Sequence, residues 1–215
     1  MSSSASRQRT ARGEAERTLE WGAAGRAREG ESSTGDRGVV VFTPGKAVAA
    51  VIDGLGHGPA AAAAAEKAAS VVERYPRDDV VALAERCDAE LRESRGAAMS
   101  LAAFDAGSGE MSWLGIGNVE GRLIPGGTFG GHGRSLLLRP GVVGDEPPSF
   151  GAESVPVRRG DVLVLATDGI GIDFGNDLRP TRSCRETAQL LLDRYGRPND
   201  DALVLVARYL AESSW

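Results

Sequence analysis

The stretch VVVFTPGKAVAAVIDGLGHGPAAAAAAEK, residues 39–67, decides how the chain folds. Two apolar runs, 39–43 and 47–52, flank Pro44-Gly45-Lys46, which is a hairpin signal. The second run ends on Asp53, and Gly54, Gly56 and Gly58 follow it. Pro59 then sits at the first helical position, where its missing N–H does no harm. Six alanines and Glu66-Lys67-Ala68-Ala69 extend that helix until Pro76 ends it. A carboxylate at the end of an apolar strand must be held by something.

Further along, Asp78 or Asp79 caps a second helix with Val80, Leu83, Ala84, Cys87 and Leu91 at helical spacing. Strand-like runs follow at 97–105, 109–118 and 120–125, then the glycine-rich loop 126–134, SLLLRP and ESVPVR. DVLVLA, 161–166, reads as a buried strand ending in Thr167-Asp168-Gly169. A helix is predicted around 183–195, and a last strand over 202–210. A first strand is predicted within 18–27. Strands cluster rather than alternate with helices. That favours an α+β fold with mostly antiparallel sheets over a doubly wound parallel sheet.

At 215 residues and 41% hydrophobic content, the chain suits one domain, residues 18–215, behind a polar, Arg-rich arm, residues 1–17. The arm lacks the apolar core of a signal peptide. No apolar run approaches the ~18–20 residues that span a bilayer, so no membrane partner is expected. The formal net charge of -5 and the lack of a long basic run argue against nucleic acid. Cys87 and Cys184 form no CxxC and no disulfide scaffold, so a reduced, cytoplasmic setting is the expectation. The expected state is a monomer.

Asp53 has counterparts. Asp168 also ends an apolar strand, Asp200 and Asp201 precede one, and Asp36 precedes the run at 39–43. If the strands ending in Asp53 and Asp168 run antiparallel to those after Asp36 and Asp200, the acids share one edge. Carboxylates so close stay ionised only if cations neutralise them. All-oxygen sites suit Mg²⁺ or Mn²⁺, and no His/Cys set has zinc spacing. A pair of such ions can hold a shared water and lower its pKa toward neutrality, the chemistry of phosphoester hydrolysis. Glycine after the aspartate permits a sharp turn and lets a carbonyl approach a metal. Taken singly, an Asp-Gly after a strand is most often a turn. His57 has no role fixed by its position, His132 is assigned none, and Asp173 reads as a turn or helix cap.

Ser33 to Asp36, VIDGLGHG (51–58), GIGNVEGRL (115–123), RRGDVLVLATDGI (158–170) and NDDALVLV (199–206) occur in this order. Together they resemble the metal-dependent serine/threonine phosphatase 2C (PPM) superfamily, in its short bacterial SpoIIE/RsbU/RsbX branch and most of all the RsbX group. The resemblance covers roughly residues 18–210. It implies two mostly antiparallel β-sheets packed as a sandwich flanked by α-helices, with two divalent cations, Mn²⁺ or Mg²⁺, at one edge. It implies Asp36, Asp53, Asp168 and the first aspartate of the last block, Asp200, as metal ligands, with the Gly54 carbonyl as a backbone ligand. His57 stands four residues after Asp53, as in the RsbX pattern; His57 or a water would protonate the leaving serine oxygen. The implied substrate is a phosphorylated STAS-domain protein, a stressosome subunit or an anti-sigma antagonist.

Two rivals are weighed against this enzyme. A catalytically silent, phosphatase-like binding module would be expected to lose one of the four acids, and all four are present. A nucleotide enzyme using the glycine loop would need glycine at 59 to complete G-x-G-x-x-G, and Pro59 stands there.

Overall fold

The computed structural model describes residues 18–126, 133–145, 149–171 and 182–211. The predicted arm at 1–17, His132 and Asp173 lie outside these.

Two sheets pack face to face. One has the order β1-β11-β10-β6-β7, from β1 (Leu19–Arg26), β11 (Ala202–Tyr209), β10 (Val162–Ala166), β6 (Glu120–Ile124) and β7 (Arg134–Ser135). The other runs β2-β3-β4-β5-β8, from β2 (Asp36–Thr43), β3 (Lys46–Gly54), β4 (Ala97–Asp105), β5 (Glu110–Ile116) and β8 (Leu138–Arg139), with β9 (Glu153–Pro156) also on β5. Every pairing is antiparallel except the short β5–β8 ladder. Helices α1 (Pro59–Arg74) and α2 (Val80–Leu91) cover the second sheet, and α3 (Cys184–Tyr195) covers the first. The expected layered sandwich is therefore the observed one.

Residues 47–52 of β3 are all fully buried, which explains why this run is continuously apolar rather than alternating. Ala47, Ala49 and Val51 face the other sheet, with Trp113, Leu163 and Leu205 in the same cluster. Val48, Ala50 and Ile52 face the helices. Strand β11 repeats the scheme, with Leu203 and Leu205 inward and Val204 and Val206 toward α3. Each large apolar side chain so buried is worth about 1.5–3 kcal/mol relative to exposure. Phe104 and Tyr209 stack across the inter-sheet layer, with ring centroids 6.0 Å apart.

The helix ends follow the local chemistry. Asp79 is the cap of α2, accepting from the N–H groups of Val81 and Ala82. Ser183 and Glu186 form a reciprocal capping box on α3. Helix α1 begins with Pro59 and has no side-chain cap, and its alanines let it lie close on β3.

Candidate metal centre

The two-residue link Pro44-Gly45, with Gly45 at φ +75°, has the residue signature of a type II turn. It pairs Thr43 with Lys46, and the ladder then sets Asp36 directly opposite Asp53. The second sheet thus presents two carboxylates at one end of adjacent strands. The first sheet presents its own at the same seam, Asp168 just after β10 and Asp200-Asp201 just before β11, which run antiparallel.

Six hydrogen bonds hold the groups. Thr167 donates its hydroxyl to Asp36 Oδ2 at 2.8 Å and accepts from the Leu203 N–H at 2.9 Å. Asp201 accepts from the Gly35 N–H at 2.7 Å and the Arg28 N–H at 2.8 Å, fixing the connection into β2. Asn118 Nδ2 donates to Asp168 Oδ2 at 2.6 Å. The guanidinium of Arg197 donates to the Asp168 carbonyl at 3.2 Å. Burial is graded across the set: Asp36 and Asp201 are buried, Asp53 and Asp200 half-buried, and Asp168 exposed.

The two glycines that follow Asp53 and Asp168 answer to packing. A Cβ on Gly54 would lie 2.1 Å from the Ala61 carbonyl oxygen, and one on Gly169 would lie 1.9 Å from that of Asp201. Each Asp-Gly is thus a close backbone crossing as well as a turn. The Gly54 carbonyl and Asp201 Oδ2 converge beside Gly35, each 3.3 Å from where a Cβ on Gly35 would stand.

Electrostatics follow from this crowding. Burial, then Asp53, pushes Asp36 up to about 8, against the opposing Thr167 hydrogen bond and with Asp201 and Asp168 adding to the rise. Burial and the charges of Asp168, Asp200 and Asp201 push Asp53 up to about 7. Burial and Asp200 raise Asp168, while Asn118 and Arg197 oppose the rise. A cation bound here would replace the protons that Asp36 and Asp53 favour and relieve the repulsion. Among the described residues no group of three or more His, Cys, Asp or Glu side chains is placed to hold one ion. That is compatible with Mg²⁺, which usually keeps several waters and takes one or two carboxylates. The donors fit hard divalent cations in their chemistry: oxygen ligands and mutual repulsion.

His57 lies on the exposed loop after β3, with Nδ1 2.7 Å from Glu31 Oε1. An ionised carboxylate only accepts, so Nδ1 carries hydrogen and Nε2 is the nitrogen left free. Sequence reasoning placed Asp36, Asp53, Gly54, Asp168 and Asp200 at this seam, and the structure brings them there. It assigned no role to Thr167, Asn118 or Arg197. Thr167 and Asn118 sit inside the quoted blocks, as the residue before Asp168 and the last of Gly-Ile-Gly-Asn, so they were visible as letters without a partner.

Among the described residues no helix is long and apolar enough to cross a membrane. Comparison with known proteins gives a consistent result. The family model Stage II sporulation protein E (SpoIIE) matches residues 43–210. The phosphoserine phosphatase RsbX of Bacillus subtilis (strain 168) is 26% identical over 167 residues, covering 76% of this chain and 81% of RsbX. A chain solved in work on the bacterial stressosome as a modular system adapted to control secondary messenger signalling superposes with a TM-score of 0.80 at 31% identity. That match covers 88% of this chain and 99% of the other. The crystal structure of RsbX in complex with magnesium superposes with a TM-score of 0.79 at 23% identity, covering 89% and 96%.

Proposed function

The chain belongs to the SpoIIE family, and from that premise we propose that it is a Mn²⁺- or Mg²⁺-dependent protein serine/threonine phosphatase. The observation that carries the reading is the seam itself: Asp36 and Asp53 paired on one sheet, faced by Asp168 and Asp200 from the other. Asp36, Asp53, Asp168, Asp200 and the Gly54 carbonyl hold two divalent cations in this reading. When bound, such ions supply Lewis acidity toward a phosphoryl group and ease the ionisation of water. The protein's own part is positioning. Asn118 orients Asp168, Thr167 orients Asp36, and Asp201 keeps the entry to β2 in place. His57, its Nδ1–H held by Glu31, would in its imidazolium form give the Nε2 proton to the leaving serine oxygen.

The proposed substrate is a phosphoserine or phosphothreonine on a STAS-domain protein, of the stressosome or anti-sigma antagonist kind, in the cytoplasm. The likeness to a chain from stressosome work and the identity with a phosphoserine phosphatase support that choice. The test is hydrolysis of a phosphorylated STAS protein and of para-nitrophenyl phosphate with EDTA, Mg²⁺ and Mn²⁺ in parallel, beside Asp53→Asn. Turnover that needs the metal and vanishes in the variant is the expected result. Turnover that persists in EDTA, or in Asp53→Asn with metal, would overturn it.

A further inference from the structure

The β3–β4 ladder does not stop where the strands end. Gly54 pairs with Ala97, and the Leu55 N–H donates to the Gly96 carbonyl at 3.0 Å, one step further in the same register. The next step sets Arg95 beside Gly56. Arg95 Nη1 lies 2.7 Å from the position a Cβ on Gly56 would take, so the guanidinium rests in the space that glycine leaves open. Gly56 also has φ +89°, which favours glycine independently.

Arg95 is exposed and makes no hydrogen bond or ion pair with another described residue. Two other arginines near the seam are engaged. Arg37 pairs with Glu66 at 3.0 Å, and Arg197 donates to the Asp168 carbonyl. Arg95 therefore offers a free planar fork, on the α2–β4 connection, alongside the loop that follows Asp53 and carries His57.

We propose that Arg95 is the substrate-reading residue of this site, binding an anionic group that flanks the phosphoserine rather than the reacting phosphoryl group. The proposal rests on the phosphatase reading above. Gly56 follows Asp53 by three residues, a span of at most about 10 Å. An extended peptide with its phosphoserine at the carboxylate seam would bring a residue within about three positions of it to Arg95. Carboxylates and phosphoryl groups are the anions a guanidinium fork binds with two parallel hydrogen bonds. A side chain of Asp or Glu, or a second phosphoserine, at that distance meets the requirement.

The test uses the full chain with Mn²⁺ and three phosphoserine peptides. One has Glu within three positions on either side, one has Gln there, and one has a second phosphoserine. Para-nitrophenyl phosphate is the substrate without flanks. The wild type is expected to prefer the Glu or the doubly phosphorylated peptide over the Gln peptide by about fivefold to tenfold in kcat/KM. Which of the two is preferred identifies the anion. Arg95→Ala is expected to abolish the preference through KM, leaving kcat and the turnover of para-nitrophenyl phosphate unchanged. Arg95→Lys should retain part of it. An equal fall on all four substrates, or an unchanged preference, would overturn the proposal. Peptide affinity, measured by fluorescence anisotropy on the same proteins, separates this from the phosphatase reading. If no substrate turns over, that reading fails. Glu-dependent affinity lost in Arg95→Ala would still support Arg95, and its persistence would refute it.

Discussion

Thr167 and Asp36 are bonded across the sandwich: the hydroxyl that follows β10 donates to the carboxylate that begins β2, at 2.8 Å. Both groups are buried. The same hydroxyl oxygen receives the Leu203 N–H, so one atom serves a carboxylate in one sheet and the backbone of the other. Replacing Thr167 by Val keeps the shape and removes both bonds. The expected cost is about 1–3 kcal/mol, read from urea denaturation, with Thr167→Ser losing much less. A Val variant as stable as the parent would show that the bond contributes nothing.

Adjacent aspartates at 200 and 201 have separable duties. Asp201 is buried and receives two backbone N–H groups, whereas Asp200 is half-buried and accepts locally from the Asp201 N–H. Asp201→Ala should therefore lower unfolding stability by about 2 kcal/mol, the scale of losing charge-assisted hydrogen bonds. Asp200→Ala should leave stability nearly unchanged and weaken Mn²⁺ binding measured by calorimetry. The reverse pattern would make Asp201 the ligand.

Metal-free protein should lose stability as pH rises. Asp36 and Asp53 titrate near 8 and 7 in the folded chain, above the usual aspartate value near 4 in the unfolded chain. Between those limits the folded state binds more protons than the unfolded one. Stability from these groups is thus complete below about pH 4 and is lost progressively as pH rises to about 8. Melting in EDTA across that window should show the fall, with a shallower slope in Asp53→Asn. Saturating Mn²⁺ should reverse the trend, because protons then compete with the ion.

His57 should matter according to the leaving group. A serine alkoxide needs a proton and nitrophenolate does not. His57→Gln is expected to lower kcat on a phosphoserine peptide by about 10²-fold and to change para-nitrophenyl phosphate turnover far less. Equal effects on both would remove the proton-donor role.

Most strands, the helices of the described residues and the hairpin were legible because apolar runs and turn residues are local signals, whereas β7 begins inside the expected loop 126–134. The two-residue turn at 44–45 even sets the register that pairs Asp36 with Asp53, since strand pairing counts outward from the turn. Which sheet would face which was not local. Thr167 and Asp36 are 131 residues apart, and Asp201 and Gly35 are 166 apart. No spacing in the sequence links them. The glycines after Asp53 and Asp168 were visible as turns, while the carbonyl oxygens pressed against them come from α1 and from the residue just before β11. Arg95 was passed over because its place depends on a ladder extending beyond its strands.

The pairing of β1 with β11 sets an order of assembly in time. Asp36 and Asp53 leave the ribosome early, and Asp168, Asp200 and Asp201 come late. A nascent chain that ends before residue 200 lacks Asp200 and Asp201, and β1 has no partner strand until β11 is made. The acidic edge is thus completed only when β11 slides in between β1 and β10.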